Sequence, residues 1–224
     1  MTFGRSQPSE AQAPAIPRQS NKTYTARQKM RFPLDLRFKI ISLASRISVR
    51  DADDRLLFHV KQKLLKLKEA VTVFEDEEQT RPRYQIAADR VLDISARYHI
   101  SDMDGRELGA LQRRGMRSIW RAHYEIYQNG EQLFEIREEN PWIKLADGFF
   151  GELPIIGLLS GYVFHPVYVV TRVSSGEMVM RLVKQPALLE TSYRLEANPE
   201  RLGKHTELTV MSVLMALLLE RQRG

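Results

Sequence analysis

Leu34, Leu36, Phe38 and Ile40 alternate with Asp35, Arg37 and Lys39, and this period of two predicts a strand with one buried face. The same texture, short alternating runs broken by turn residues about every ten positions, continues along the chain and predicts further strands near 47–50, 56–61, 65–74, 83–88, 91–100, 107–112, 119–127, 132–138, 163–172, 177–183 and 189–196. The count is about a dozen. One stretch departs from it: in Glu207 to Glu220, ELTVMSVLMALLLE, ten of fourteen residues are apolar and no polar face remains. This predicts a helix surrounded by protein, with Thr206 as its N-cap, Glu207 in its first turn and Arg221 to Gly224 at its end. At 1.5 Å per residue its apolar part is about 21 Å long, short of the roughly 30 Å hydrocarbon core of a bilayer, so no transmembrane span is expected.

A dozen antiparallel strands have exposed edges unless the sheet closes, and closure at that size leaves a bore that the strands' own side chains cannot fill. The expected fold is therefore mainly β, a closed antiparallel barrel of about twelve strands around a central hydrophobic C-terminal α-helix. Leu208, Met211, Leu214, Met215 and Leu218 are its expected core contribution.

A repeat organises the strands. Ile47 to Phe74, Tyr98 to Ile126 and Tyr168 to Leu195 each read as strand, tight turn, strand, basic bend, strand. The turns carry Asp51 to Asp54, Asp102 to Gly105 and Ser174-Ser175-Gly176, residues suited to side-chain hydrogen bonds to the backbone and to positive φ. Asn129-Gly130 is the strongest hairpin signal in the chain. Residues 138–157 fit neither period and predict a long connection with a short helix, covering part of the barrel with Trp142, Phe149, Phe150, Ile155 and Ile156.

Composition adds boundaries. The 224 residues, 43% hydrophobic and 28% charged, are those of an ordinary globular chain, and the absence of cysteine excludes disulfides and thiolate metal sites. Residues 1–28, rich in Pro, Ser, Gln and Ala, are expected to be a disordered basic tail, with the barrel domain at 29–224. Of the net charge of +6, residues 1–31 carry +5, so the barrel itself is nearly neutral and nucleic acid is not an expected partner. With no secretory signal, a cytoplasmic protein, peripheral to membranes if it meets them, is the expectation.

The strand pattern, the Asp51–Asp54 and Asp102–Gly105 hairpins, the Glu139-Asn-Pro-Trp142 connection and the terminal apolar helix together resemble the LURP-one-related proteins, of the superfamily that includes the tubby C-terminal domain and the phospholipid scramblases. The resemblance covers about residues 30–222. It implies a twelve-stranded barrel around a central C-terminal helix, and contact with lipid or a membrane surface. It implies no individual headgroup-binding position, and the scramblase calcium segment is not recognisable.

The candidate headgroup-binding residues are Lys61, Lys63, Lys66, Lys68, Arg113 and Arg114, with Lys184 a weaker addition, because the repeat places each just after the second strand of a hairpin. Cations near an anionic membrane contribute about 1 kcal/mol each; the alternative is that lysines on outward strand positions keep strands from pairing wrongly. Enzymatic signatures are weak. Ser160 misses nucleophile-elbow spacing, the five histidines lack the spacing of a helical metal site, and Asp51, Asp53 and Asp54 are better explained as turn residues than as a calcium loop. No catalytic residue, cofactor or metal is expected. The expected function is a non-enzymatic barrel that binds anionic phospholipid at a membrane surface. A protein-interaction scaffold is one alternative, and a small-molecule binder or enzyme with a composite pocket near residues 138–162 is another.

Overall fold

The structure, a computed structural model, describes residues 30–41, 44–63, 70–90, 96–114, 123–139, 167–186 and 190–221. The expected tail lies outside these residues. So do most of the connection read at 138–157 and residues 65–69, 91–95, 119–122, 163–166 and 189 from five expected strands.

Twelve strands run up and down: β1 (Leu34–Ile41), β2 (Ala44–Arg50), β3 (Leu56–Lys63), β4 (Val71–Phe74), β5 (Pro82–Ala88), β6 (Arg97–Asp102), β7 (Glu107–Arg113), β8 (His123–Gln128), β9 (Glu131–Glu138), β10 (Val167–Arg172), β11 (Met178–Gln185) and β12 (Thr191–Ala197). Each pairs antiparallel with its neighbours in sequence, and β1 pairs with β12 through Leu34↔Leu195 to Phe38↔Thr191, which closes the barrel. After β12 come a short helix α1 (Pro199–Leu202), a 3₁₀ turn (Gly203–His205) and the helix α2 (Thr206–Arg221). A cis peptide bond precedes Pro33, just before β1.

The alternation along each strand sets the inner face. Leu34, Leu36 and Phe38 of β1, Ile47 and Val49 of β2, Ile126 of β8 and Phe134 and Ile136 of β9 are all buried and point at α2. Every residue of α2 from Leu208 to Leu218 is buried, including the five named from the sequence. Strands about 4.8 Å apart and tilted about 40° make a twelve-stranded barrel roughly 24 Å across, whose bore one helix of about 10–12 Å diameter can fill. By length and composition the run Pro199–Arg221 could cross a membrane, yet it lies mostly inside the barrel.

The helix start differs from the sequence expectation. Thr206 has helical backbone angles and its hydroxyl donates to the Gly203 carbonyl at 2.8 Å, so it caps nothing. The capping residue is Asn198, whose side chain accepts from the Glu200 amide at 2.9 Å, with Pro199 in the first helical position. The helical path thus begins eight residues earlier, and α1 closes the end of the barrel before α2 enters it.

The three repeats are β2–β4, β6–β8 and β10–β12, separated by β1, β5 and β9. Each opening hairpin shifts register just before its turn, at Val49/Arg50, Ile100/Ser101 and Val170/Thr171. In the first two turns a buried or half-buried aspartate holds the loop: Asp51 accepts the Asp53 and Arg55 amides at 3.0 and 3.1 Å, and Asp102 accepts the Asp104 and Arg106 amides at 3.1 and 2.9 Å. Burial alone would push the Asp51 carboxyl up; the Arg55 side chain and the two amides outweigh it and leave it below the ordinary range. Position 54 takes φ +57 where Gly105 takes φ +80, since aspartate tolerates the left-handed region that glycine occupies freely. In the third turn Arg172 replaces the aspartate, the loop is one residue longer, and Ser175 accepts the Glu177 amide instead.

The helix lies nearest to β6, β7 and β8, and Gly109 on β7 makes this possible. A Cβ there would fall 2.8 Å from Cδ2 of Leu208 and against the Tyr127 carbonyl oxygen, and neither backbone nor packed helix can yield cheaply. Gly109→Ala is expected to destabilise the barrel by about 2 kcal/mol, a drop of roughly 4–8 °C in Tm, measured by thermal unfolding. An unchanged Tm would mean that α2 is not seated against β7.

Candidate functional site

The two ends of the barrel are chemically different. The turns at 51–54, 103–106, 129–130 and 173–176 lie at one end, around the start of α2; the opposite strand ends and the end of α2 form the other, here called the loop end. The turn end exposes Asp53, Asp54, Glu77, Asp104, Glu107 and Glu131. Arginines stand among them, several already paired, as Arg31 is with Asp53 at 2.6 Å and Arg106 with Asp102 at 3.1 Å. Among the described residues, the exposed charges at the loop end are Lys39, Arg46, Lys61, Arg90, Arg114 and Arg137, against the exposed Asp89.

Of the residues named from the sequence, Lys61 is exposed on the outer face of β3, and Lys63 ends that strand. Lys66 and Lys68 lie outside the described residues. Arg114 is exposed beyond β7, with Glu125 at 3.7 Å. Arg113 does not belong to the surface. It follows Gly109 and Leu111 on the inner face, its side chain is 13% exposed, and its guanidinium lies 6.0 Å from the Tyr124 ring centre and 4.0 Å from Glu220. Lys184 is half-buried and directly opposite the inward Tyr193. The repeat therefore brings these cations to one end but not to one place. β3, β7 and β11 stand four strands apart around the closed sheet, roughly 20 Å from one another on a barrel of this size.

What the register does gather is a row across β1, β2 and β3. Lys39 lies opposite Arg46, and Arg46 opposite Lys61. All three point outward, since their neighbours Phe38, Ile47 and Val60 form the matching inward row. Directly opposed side chains have Cβ atoms about 5 Å apart, and like charges so placed repel. Lys39 has Glu190 at 3.6 Å at the edge of the row; Arg46 and Lys61 form no ion pair among the described residues. The next outward row holds Arg37, Ser48 and the buried His59, with Ser48 Oγ and His59 Nδ1 3.5 Å apart. Burial first, and Arg46 next among the groups acting against it, hold His59 below the usual histidine range despite Glu77 and Asp76 nearby. Sequence reasoning missed Lys39 and Arg46. The signal was present: matching Phe38 with Ile47 across the short 42–43 connection puts Lys39 opposite Arg46.

Inside the loop end, α2 is fastened by polar groups. Tyr124 donates to Glu220 at 2.6 Å, Arg113 stands by, and Arg221 covers the Phe38 ring at 4.8 Å. A cavity of about 10 Å³ lies between Tyr124, Tyr168, Leu182, Val213 and Glu220, room for about one water. Burial pushes the phenols of Tyr98, Tyr124, Tyr168 and Tyr193 up, and Glu220 adds to the shift for Tyr124 and Tyr168. At the other end burial pushes Tyr84 up to about 12. These tyrosines keep their protons in the folded state while the unfolded chain releases them near pH 10, so the stability they contribute is complete below pH 10 and is lost as pH rises above it. Raising the pH from 9 to 12 is expected to unfold the barrel cooperatively, with most of the tyrosinate absorbance appearing together with loss of the β-sheet circular dichroism. Ionisation of most of the eight tyrosines well before the sheet is lost would contradict the placement of these rings.

Among solved structures, an X-ray structure of a protein from Arabidopsis thaliana is similar to this chain, with a TM-score of 0.44 and 13% sequence identity over 85% of this chain and 92% of that one. No curated protein matches the sequence. The family description LURP-one-related matches residues 56–202, from the start of β3 to the end of α1. Those residues are more than half of the chain, and they make it a member of the LURP-one-related family.

Proposed function

We propose that this barrel is a non-enzymatic binding module that contacts anionic phospholipid at a membrane surface through its loop end. The observation that carries the reading is the polarity of exposed charge along the barrel axis: among the described residues, cations predominate around the end of α2, and carboxylates around its start. A barrel so polarised turns its loop end toward a negative surface, each cation near that surface contributing about 1 kcal/mol and the attraction fading within a Debye length of about 8–10 Å. The basic composition of residues 1–31 adds to the attraction without supplying specificity. The filled interior agrees with action at the surface: α2 occupies the bore, and the cavity beside Glu220 is too small for a substrate.

The scaffold alternative has the same fold and loses the lipid contact. The composite pocket expected near 138–162 falls mostly outside the described residues. A groove of about 270 Å³ beside α1 is lined by Met178, Met180, Arg181, Glu196, Asn198 and Arg201 among others, and its lining has one carboxylate and no histidine or nucleophile among the described residues. Arg181 there pairs with Glu139 at 3.1 Å and Arg201 with Glu177 at 3.0 Å.

Flotation of the full chain, and of a chain beginning at Met30, with phosphatidylcholine vesicles with and without anionic lipid is the test. The expected result is binding to anionic vesicles alone by both chains, falling steeply from low to physiological salt. Binding by the full chain alone would assign the contact to the leader, and absence of binding by both would favour the scaffold.

A further inference from the structure

The row Lys39, Arg46, Lys61 is an unusual thing for a strand surface to keep. Cations on an exposed strand are ordinarily interleaved with acids, because opposite charges directly across a pair stabilise it and like charges destabilise it. Elsewhere on this barrel that pattern holds where Arg194 lies opposite Asp35 on β12 and β1, with 3.5 Å between their charged groups, and where Arg181 lies opposite Glu196 on β11 and β12; where two acids meet instead, Glu125 opposite Glu135 on β8 and β9, each has an arginine beside it, Arg114 at 3.7 Å and Arg137 at 2.6 Å. On β1–β3 it fails twice in succession, at Lys39↔Arg46 and at Arg46↔Lys61. Three positive groups in register span about 10 Å, with the arginine in the middle and a lysine on each side.

We infer that the Lys39–Arg46–Lys61 row is a binding site for a phosphomonoester, the terminal phosphate centred on Arg46 and flanked by the two lysines. The guanidinium offers two parallel donors to two phosphate oxygens, and an ammonium on either side can reach the sides of the same group. A phosphomonoester brings three terminal oxygens and a charge of about −1.5 to −2 at pH 7. A phosphodiester has two free oxygens and one charge, and a carboxylate likewise, so neither satisfies all three cations. Ser48, the next outward residue along β2, adds a hydroxyl donor on the turn side of the row, and Glu190 marks its limit beside Lys39. The site needs no rearrangement of the backbone, since the inward row Phe38, Ile47 and Val60 is locked in the core. The phosphate can come from a lipid headgroup or from a soluble compound; the inference deepens the reading of the loop end as a membrane contact and rests on that reading for the lipid source alone.

Flotation of the full chain would compare phosphatidylcholine vesicles containing phosphatidic acid, a phosphomonoester lipid, with vesicles of matched charge containing phosphatidylserine. Calorimetric titration with inorganic phosphate would cover the soluble source. The expected result is stronger partition onto phosphatidic acid, competition by inorganic phosphate, and loss of about tenfold or more of that partition in Arg46→Glu and in Lys61→Glu. Lys204→Glu, the same change of charge on the exposed turn-end surface, should keep the preference. Arg46→Glu places an acid between two lysines, so it should also raise Tm by about 2–4 °C, which separates loss of binding from loss of fold. An unchanged phosphatidic acid preference in Arg46→Glu and Lys61→Glu, or an equal loss in Lys204→Glu, overturns the site. Equal partition of the unaltered chain onto the two anionic lipids overturns the phosphomonoester specificity and leaves the membrane reading standing. Binding of inorganic phosphate that Arg46→Glu abolishes, with no vesicle binding, keeps the site and overturns the membrane reading.

Discussion

Everything in this molecule depends on one requirement, that the bore of a twelve-stranded closed sheet be filled. Closure removes the exposed strand edges that would template aggregation, but it creates a volume too wide for the wall's own side chains. A helix apolar on all sides is the one element of regular structure that can occupy that volume with every backbone group already hydrogen-bonded. That is why Leu208 to Leu218 contains no charge, and why Thr209 within it returns its hydroxyl to the His205 carbonyl at 2.8 Å. The wall answers the helix in turn, with Gly109 giving way where α2 comes closest and Tyr124 reaching its last turn through Glu220.

With the inside committed to packing, chemistry is left to the outside and to the two ends. The turn end is held by short, self-satisfied loops in which carboxylates such as Asp51, Asp76 and Asp102 are consumed by backbone amides and neighbouring arginines. The loop end has fewer carboxylates among its exposed groups, and its cations include two on adjacent strands that no acid neutralises among the described residues. The division of charge follows from the division of labour between the ends: one closes hairpins, the other presents a face.

Much of the fold was legible because its signals are local. The alternation of Leu34, Leu36 and Phe38, the Asn129-Gly130 turn with φ of +52 and +81, and the unbroken apolar run of α2 each act over a few residues. The candidate site was legible in part, because it depends on register and parity between strands. Arg113 has the sequence position of a rim cation, and the inward parity it shares with Gly109 and Leu111 takes it to Glu220. Lys39 and Arg46 lie in different strands and share a row through the pairing of Phe38 with Ile47, a relation between elements that no single segment states. Thr206 failed as a cap for a related reason: the helix signal began where the apolar run began, whereas the backbone began to coil at Pro199, among residues too polar to mark it.

The order of the elements along the chain has a consequence for how the protein is made. Synthesis delivers β1 to β12 first and α2 after all of them. While the ribosome is still producing α2, the strands already present offer paired hairpins whose inner faces, Leu36, Val49, Ile86, Leu111 and Ile136 among them, have nothing to pack against. Neighbour-to-neighbour hairpins can form as they emerge, since each joins adjacent segments, but the β1–β12 seam and the filled bore must wait for the last residues of the helix. The nascent chain therefore passes through a period as an open, sticky sheet, and its demand on chaperones lasts until α2 has emerged to fill the bore.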